Sequence, residues 1–149
     1  MIQMPFNQSS TSYRAPGVPI LLAQVVAELS DVASAPQIAS FVFALGQRLA
    51  ARVSLDDAAS LTDFEDRVNQ LWRELGIGQS RLAADETAIV VQHDPGLLPP
   101  DVLEPLARPY LAELVRGTFD ACFRRLGSTD ATQTTVKWTE QTIEIRHGN

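Results

Sequence analysis

Apolar residues recur every three or four positions in the first half of the chain, a spacing that predicts helices. The first helix covers Pro19 to about Val32. A second follows Ser34, whose hydroxyl and the Gln37 side chain can form a capping box around Pro36. We expect one face of this second helix to be buried, and its apolar members are Ile38, Phe41, Val42, Leu45 and Leu49.

A third helix is predicted from a second capping box, Thr62 to Glu65, as far as Gly76. The box places acidic residues in the first turn, where the helix dipole favours them. The predicted apolar stripe of this helix is Phe64, Val68, Leu71, Trp72 and Leu75.

After Gly78 the apolar residues alternate, which predicts strands. Gln79–Ala83 and Thr87–Gln92 form one hairpin, and Thr132–Thr139 with Thr142–His147 forms another. Between the hairpins, a long helix starts near Ala107 or Pro109 and runs to Leu126. We expect its buried side to contain Leu111, Leu114, Val115, Thr118, Phe119, Cys122 and Leu126.

The predicted order is α-α-α-β-β-α-β-β, which favours the α+β class with an antiparallel sheet packed by helices. Residues 1–17 are polar and contain Pro5, Pro16 and a Ser/Thr cluster, so they are interpreted as a flexible N-terminal arm. Residues 18–149 are then a single α+β domain, and the sequence shows no internal repeat.

Charge narrows the range of partners. The net charge is −6, Lys137 is the only lysine, and there is no basic run. Phosphate backbones are bound by clusters of Lys and Arg, so we expect neither nucleic acid nor anionic membrane surfaces as partners of this chain. The sequence has no export signal and no span long enough for membrane insertion, which favours the cytoplasm, with the periplasm as the alternative.

Reactive side chains are scarce. There is no P-loop, no Gly-x-Ser-x-Gly elbow and no calcium loop, so we expect no enzyme activity, no cofactor and no metal. Cys122 lies in an apolar helical run and is expected in the core. His93 ends a predicted strand and is expected at the surface or in an interface, although with Asp94 it could also act as a base or as one metal ligand beside another. Trp138 belongs either to the sheet core or to a subunit contact, so Trp138 and His93 are the candidates for an oligomer interface.

Several segments, in order, resemble one family. They are Phe41–Ala50 with its Gly46-Gln-Arg-Leu-Ala50 end, Leu61–Glu65, Asn69–Gly78, Ile89–His93 with its following Pro loop, Leu106–Gly127 and Thr142–Arg146. Together they resemble the cellulose synthase D subunit family from Gln37 onward. Ile77 replaces the usual aromatic between two glycines, Pro109-Tyr110 stands where a tryptophan is expected, and residues 1–30 have no clear counterpart.

The resemblance implies a small accessory protein of bacterial cellulose secretion that forms a ring-like homo-octamer. Such a ring is associated with emerging glucan chains or acts as a scaffold beneath the synthase, arranging synthase complexes in rows, and it implies no catalysis. Other cellulose-synthesis subunits would then be its partners. For contact with glucan or a partner, the first candidates are Phe6, Tyr13 and Arg14 of the arm, because aromatic faces stack on sugar rings and Arg donates to hydroxyl groups.

Two other classes of function stay open. A small acidic cytoplasmic secretion chaperone, usually a dimer that binds an extended partner segment, would suit the length and the pI of about 4.8. A small-molecule sensor would hold its ligand between the helices and the sheet, with His93 reaching into the pocket.

Overall fold

The computed structural model describes residues 17–102 and 110–149, and three helices form the first half of that part. They are α1 (Gly17–Leu29), α2 (Ala35–Leu49) and α3 (Leu61–Leu75), with one 3-10 turn at Ala50–Arg52. The predicted capping box of α2 is confirmed, since the Gln37 N–H donates to Ser34 Oγ at 3.3 Å and the Ser34 N–H donates to Gln37 Oε1 at 2.8 Å.

The start predicted for α3 is wrong by two residues. Ser60, rather than Thr62, caps the helix and accepts from the Asp63 N–H at 3.1 Å. Asp63 also accepts, at 2.9 Å, from the N–H of Ala59, the residue before the cap, whereas Glu65 accepts from the Leu82 N–H. A serine at this position serves as well as a threonine, and Leu61 becomes the first helical residue.

The second half contains the sheet. Its strands are β1 (Gln79–Ala84), β2 (Ala88–Asp94), β3 (Gln133–Thr139) and β4 (Thr142–Gly148). The single turn α4 (Pro100–Val102) and the helix α5 (Ala112–Arg125) lie between β2 and β3. The start predicted for the long helix falls on residues 103–109, outside the described part, as does the arm up to residue 16, whereas Gly17 begins α1.

All strand pairs are antiparallel, in the spatial order β1-β2-β4-β3, so the predicted α+β class is confirmed. One sheet face packs against α3 and α5, and α2 lies on α5. Alternation along each strand places the apolar residues on this face, as with Val91, Ile143 and Ile145. The polar residues, such as Gln92 and Lys137, lie on the opposite face.

Two glycines let α2 and α5 touch through their backbones. A Cβ at Gly46 would lie 2.2 Å from the carbonyl oxygen of Leu114, and a Cβ at Gly117 would lie 2.1 Å from that of Phe43. Thr118 Oγ1 also donates to the Gly46 carbonyl at 3.1 Å. The crossing therefore has no room for a larger side chain at either glycine.

Two residues expected in the core are exposed. Phe41 is 50% exposed because α2 faces the core with the row Ile38, Val42 and Gly46, and Phe41 lies beside that row. Leu126 is 47% exposed because α5 ends at Arg125, before the helix can carry Leu126 onto its buried side.

The sheet consists of two hairpins that match each other position by position. Each residue of β1 or β2 has its counterpart 54 residues later, as Gln79 has Gln133 and Ala88 has Thr142. The pairing of β2 with β4 respects this relation, since Val91 lies opposite its own counterpart, Ile145. The hairpins are therefore related by an approximate twofold axis through the middle of the sheet.

The preceding helices extend the relation to two α-β-β units. Gly76 ends α3 and Gly127 follows α5, both with positive φ, and these two glycines are 51 residues apart. Counted from these glycines to the next strand, the second helix-to-strand connection is three residues longer. The expectation of no internal repeat is wrong at the level of structure, because the matching residues seldom share the same identity.

Candidate functional site

Each α-β-β unit holds one of the two histidines of the chain in an equivalent place. His93 is the sixth residue of β2 and His147 is the sixth residue of β4. Each lies opposite a hydroxyl residue on the neighbouring strand, Ser80 for His93 and Thr134 for His147. The two sites can therefore be compared directly.

The His93 cluster is a chain of hydrogen bonds with one possible direction. The Ile77 carbonyl can only accept, so His93 Nε2 carries the proton that it donates at 2.7 Å. In the neutral ring Nδ1 is then an acceptor, and Ser80 Oγ donates to it at 2.7 Å. Trp72 Nε1 donates to the same Ser80 oxygen at 2.9 Å, and its ring packs edge-on against the imidazole.

This cluster is sealed from solvent. His93 is 0% exposed and Ser80 2%. Burial lowers the pKa of His93 to about 4, although the Ile77 carbonyl and the nearby Asp94 favour the charged form. The ring is therefore neutral at physiological pH, and both of its nitrogens already have partners.

The expectation of a surface position for His93 is wrong. The end of β2 is covered by α3 and by the connection from α3 to β1, which supplies the Ile77 carbonyl. A direct contact of this side chain with another subunit, or with an external substrate, would require this end of the core to open.

The His147 cluster is similar but ends in charged groups. Thr134 Oγ1 donates to Asp120 Oδ1 at 2.9 Å, so it accepts from His147 Nδ1 at 2.7 Å. Arg124 also contacts Asp120 Oδ1, at 3.2 Å, and Ser128 Oγ is hydrogen-bonded to His147 Nε2. The pKa of His147 is lowered by burial and by the Arg124 charge, whereas Asp120 opposes the shift.

A hydroxyl, an imidazole and a carboxylate in series also occur in hydrolases, so a catalytic role has to be weighed against a structural one. The comparison between the two units favours the structural role. Ser128 takes the place that the Ile77 carbonyl has in the first unit, directly after the positive-φ glycine. We interpret both histidines as structural residues, each of which holds the helix-to-strand connection of its unit against the sheet by a hydrogen bond.

The sequence contained a signal for these clusters that single-residue reasoning misses. A hydroxyl residue precedes each histidine by thirteen positions, as Ser80 precedes His93 and Thr134 precedes His147. That spacing is what a hairpin with a short turn needs to place two residues opposite each other.

Cys122, the only cysteine, is confirmed as a core residue. It is buried, and burial raises the pKa of its thiol to about 12, which leaves the nucleophilic thiolate unpopulated. In residues 17–102 and 110–149, no three His, Cys, Asp or Glu side chains are grouped to hold a metal ion.

The predicted contact residues are not brought together on one surface. Trp138 is partly buried and packs against the core, in the same cross-strand row as His93, with Ile143 between them. Its role in an interface stays a prediction. Phe6, Tyr13 and Arg14 lie outside the described residues.

Apolar surface is exposed on the helices instead. Ile20 and Leu21 of α1 are 43% and 64% exposed, in addition to Phe41 of α2. An open groove of about 230 Å³ also lies between the start of α3 and the sheet, lined by residues that include Phe64, Ile89 and Leu126 but not His93. These features are suited to protein contacts rather than to chemistry.

A sequence model of the family of the cellulose synthase D subunit matches residues 6–147 of the 149-residue chain. The chain belongs to the cellulose synthase D subunit family. The match is longer than the resemblance from Gln37 onward, and it includes most of the segment for which no counterpart was expected. No curated protein matches the chain.

Membership in this family supports a role in cellulose synthesis, in association with other components of the synthesis machinery. Across the described part of the chain, each helix is too short or too polar to cross a bilayer.

Proposed function

We propose that this member of the cellulose synthase D subunit family is a non-catalytic accessory protein of bacterial cellulose synthesis that assembles with copies of itself into a ring. By family resemblance the ring contains eight copies, and it positions synthase complexes or nascent glucan chains from the cytoplasm. A ring suits this role, because many weak contacts that are physically linked bind far more tightly than one.

One contrast carries the proposal. The two histidines and the cysteine, which are the side chains best suited to catalysis near neutral pH, are buried in the core. Large apolar side chains such as Leu21 and Phe41 lie on the surface, where they can contact another molecule. The protein therefore offers partners surfaces rather than reactive groups.

Light scattering coupled to size-exclusion chromatography tests the assembly. We expect a defined oligomer at micromolar concentration, and a stable monomer would contradict the proposal. A dimer that co-purifies with an unfolded export substrate would instead favour the secretion chaperone.

The biological role needs a second test. Deleting the gene should leave glucan synthesis by the membrane enzyme active but disturb the packing of the secreted cellulose, as measured by X-ray diffraction of the product. Re-expression of the full chain should restore the packing. Unchanged cellulose in the deletion strain would reject the role.

The arm gives a matched variant for the same assay. A chain that lacks residues 1–16 should still assemble but restore cellulose packing less well, if Phe6, Tyr13 and Arg14 contact glucan or a partner. Full restoration by the shortened chain would remove the arm from the proposal.

A further inference from the structure

The two α-β-β units differ at the outer end of one row of side chains. This row crosses all four strands on the sheet face that packs against the helices, and it contains Trp138, Ile143, His93 and Ser80. The approximate twofold axis relates it to a second row, which contains Ala84, Ile89, His147 and Thr134. A tryptophan therefore ends one row, whereas an alanine ends the other.

This difference changes how well the neighbouring isoleucine is covered. Trp138 packs against the core, and Ile143 beside it is 0% exposed. Ala84 has a much smaller side chain, and Ile89 beside it stays partly exposed. The open groove of about 230 Å³ lies at this point, since Ile89 is one of its lining residues.

The residues before the two helices show the same replacement of an aromatic residue by alanine. The helices α3 and α5 match with a spacing of 51 residues, because they begin at Leu61 and Ala112. Tyr110 stands two residues before α5 and is 8% exposed. Ala59 stands at the matching position before α3 and lines the groove. The first unit therefore has alanines beside the groove at two positions where the second unit has aromatic residues.

The border of the groove carries more negative than positive charge. Three acidic residues flank its lining segment 58–61, namely Asp56, Asp57 and Asp63. Of the arginines nearby, Arg67 pairs with Asp57 at 2.9 Å, and Arg125 donates to the Ala50 carbonyl at 2.6 Å. The groove is thus suited to a segment that offers an aromatic side chain and positive charge but no carboxylate.

Residues 1–16 have this composition. They contain the aromatic residues Phe6 and Tyr13, the basic residue Arg14 and no Asp or Glu, in a chain whose net charge is −6. The groove and this arm are therefore complementary both in apolar character and in charge.

The length of the arm favours Phe6 over Tyr13. The helix α1, which begins at Gly17, packs on α3, and each of these helices is about 20 Å long. The eleven residues from Phe6 to Gly17 span up to about 36 Å when extended, so Phe6 can reach the groove from either end of α3. Tyr13 is only four residues from Gly17 and reaches about 13 Å.

We propose that residues 1–16 dock in the groove of their own chain, with the Phe6 ring packed on Ile89 as Trp138 packs beside Ile143. Phe6 then anchors the arm, and Tyr13 stays available for contact with glucan or a partner. The docking does not depend on a ring, because the groove and the arm belong to one chain.

Disulfide trapping tests the docking with a matched control. Asn7→Cys places a thiol next to Phe6, and it is combined in the full chain with either Ala84→Cys or Ala83→Cys. Ala83 and Ala84 are exposed neighbours on β1, but their side chains lie on opposite faces of the sheet. The native Cys122 is buried and does not compete.

Under mild oxidation at low protein concentration, the pair with Ala84→Cys should form a disulfide within one chain about tenfold faster than the pair with Ala83→Cys. Docking brings only the first pair together, whereas the tether alone gives both pairs a similar effective concentration. Equal rates would overturn the docking. A link between two chains as the main product, seen as a dimer on a non-reducing gel, would overturn it as well and assign the groove to a second copy.

Phe6→Ala tests the identity of the anchor. In the protein with Asn7→Cys and Ala84→Cys it should slow the linkage about tenfold, because the buried aromatic area that holds the arm is lost. Tyr13→Ala is the matched control and should leave the rate unchanged. If Tyr13→Ala slows the linkage and Phe6→Ala does not, the proposed anchor is wrong. A monomeric wild type would overturn the ring, but the linkage within one chain would still be measured.

Discussion

Lowering the pH should destabilise the protein mainly through His93. In the folded protein burial holds the pKa of this side chain at about 4, whereas the unfolded chain returns it to about 6.5. The difference corresponds to roughly 3 kcal/mol of unfolding free energy, at about 1.4 kcal/mol per pKa unit. That is a large part of the stability of a domain of this size.

The sign follows from proton binding. Below pH 6.5 the unfolded chain takes up a proton at His93 that the folded protein refuses, so acid favours unfolding. The contribution is fully present above about pH 6.5 and is lost as the pH falls to about 4. The lowered pKa of His147 adds a loss in the same direction. Asp85 affects the unfolding free energy only at lower pH, because folding lowers the pKa of its carboxyl from 3.8 to about 2.

Urea unfolding measures this loss if each titration point uses one fixed protein concentration, since assembly also changes apparent stability. Between about pH 7.5 and 4.5, the wild-type unfolding free energy should fall by up to about 1.4 kcal/mol per pH unit through His93, and His147 should add a loss in the same direction. The His93→Gln protein should be less stable than the wild type at pH 7. Because glutamine does not titrate, the unfolding free energy of this variant should change less with pH. His147→Gln is the matched control in the second unit and should keep the His93 part of the slope.

A flat wild-type profile between pH 6.5 and 4.5 would refute the reasoning. An unchanged slope in His93→Gln would do the same, because the titration would then belong to other groups. Direct observation of the His93 ring by NMR separates these cases, since a pKa near 6.5 in the folded protein would mean that the ring is not sealed.

Three other substitutions test the packing by urea unfolding. Gly117→Ala should cost about 1–3 kcal/mol or more, because its Cβ would lie 2.1 Å from a backbone carbonyl of α2, whereas Gly17→Ala, with open space around it, should be tolerated. Trp72→Ala should cost about 3–5 kcal/mol, but the half-exposed Phe41→Ala less than about 1 kcal/mol, and equal losses would contradict the assigned helix faces. Asn69→Ala should cost about 1–3 kcal/mol by unpairing backbone groups of β1, and no loss would mean that water replaces the amide.

Much of the fold could be predicted because local patterns decide it. The four strands follow from alternating apolar residues, and the Ser34 box marks the start of α2 in sequence and structure alike. The errors arise where local signals compete or end. Ser60 and Thr62 are both good caps, and the bond from the Asp63 N–H to Ser60 Oγ shows that Ser60 is the one used.

The buried site was harder to predict, although part of the information was present. Val91 and His93 lie two residues apart on β2, so they face the same side of the sheet, and the burial of one argues for the burial of the other. Burial of His93 also requires other residues to pack over the end of β2, and these residues belong to the connection after Gly76. Its path is a tertiary property that no local pattern contains.

The two units differ in how the helix before each hairpin binds the outer strand of the sheet. Asn69 has an amide, which both donates and accepts, so one side chain closes the N–H and the C=O of Ser80. Its counterpart Asp120 can only accept, and it binds Thr134 Oγ1 and Arg124 instead of the strand backbone. Arg116 therefore provides the donor, but it has no acceptor to offer the Val136 N–H. The same position on the preceding helix therefore binds the strand backbone in the first unit, whereas in the second unit it binds a hydroxyl group and an arginine.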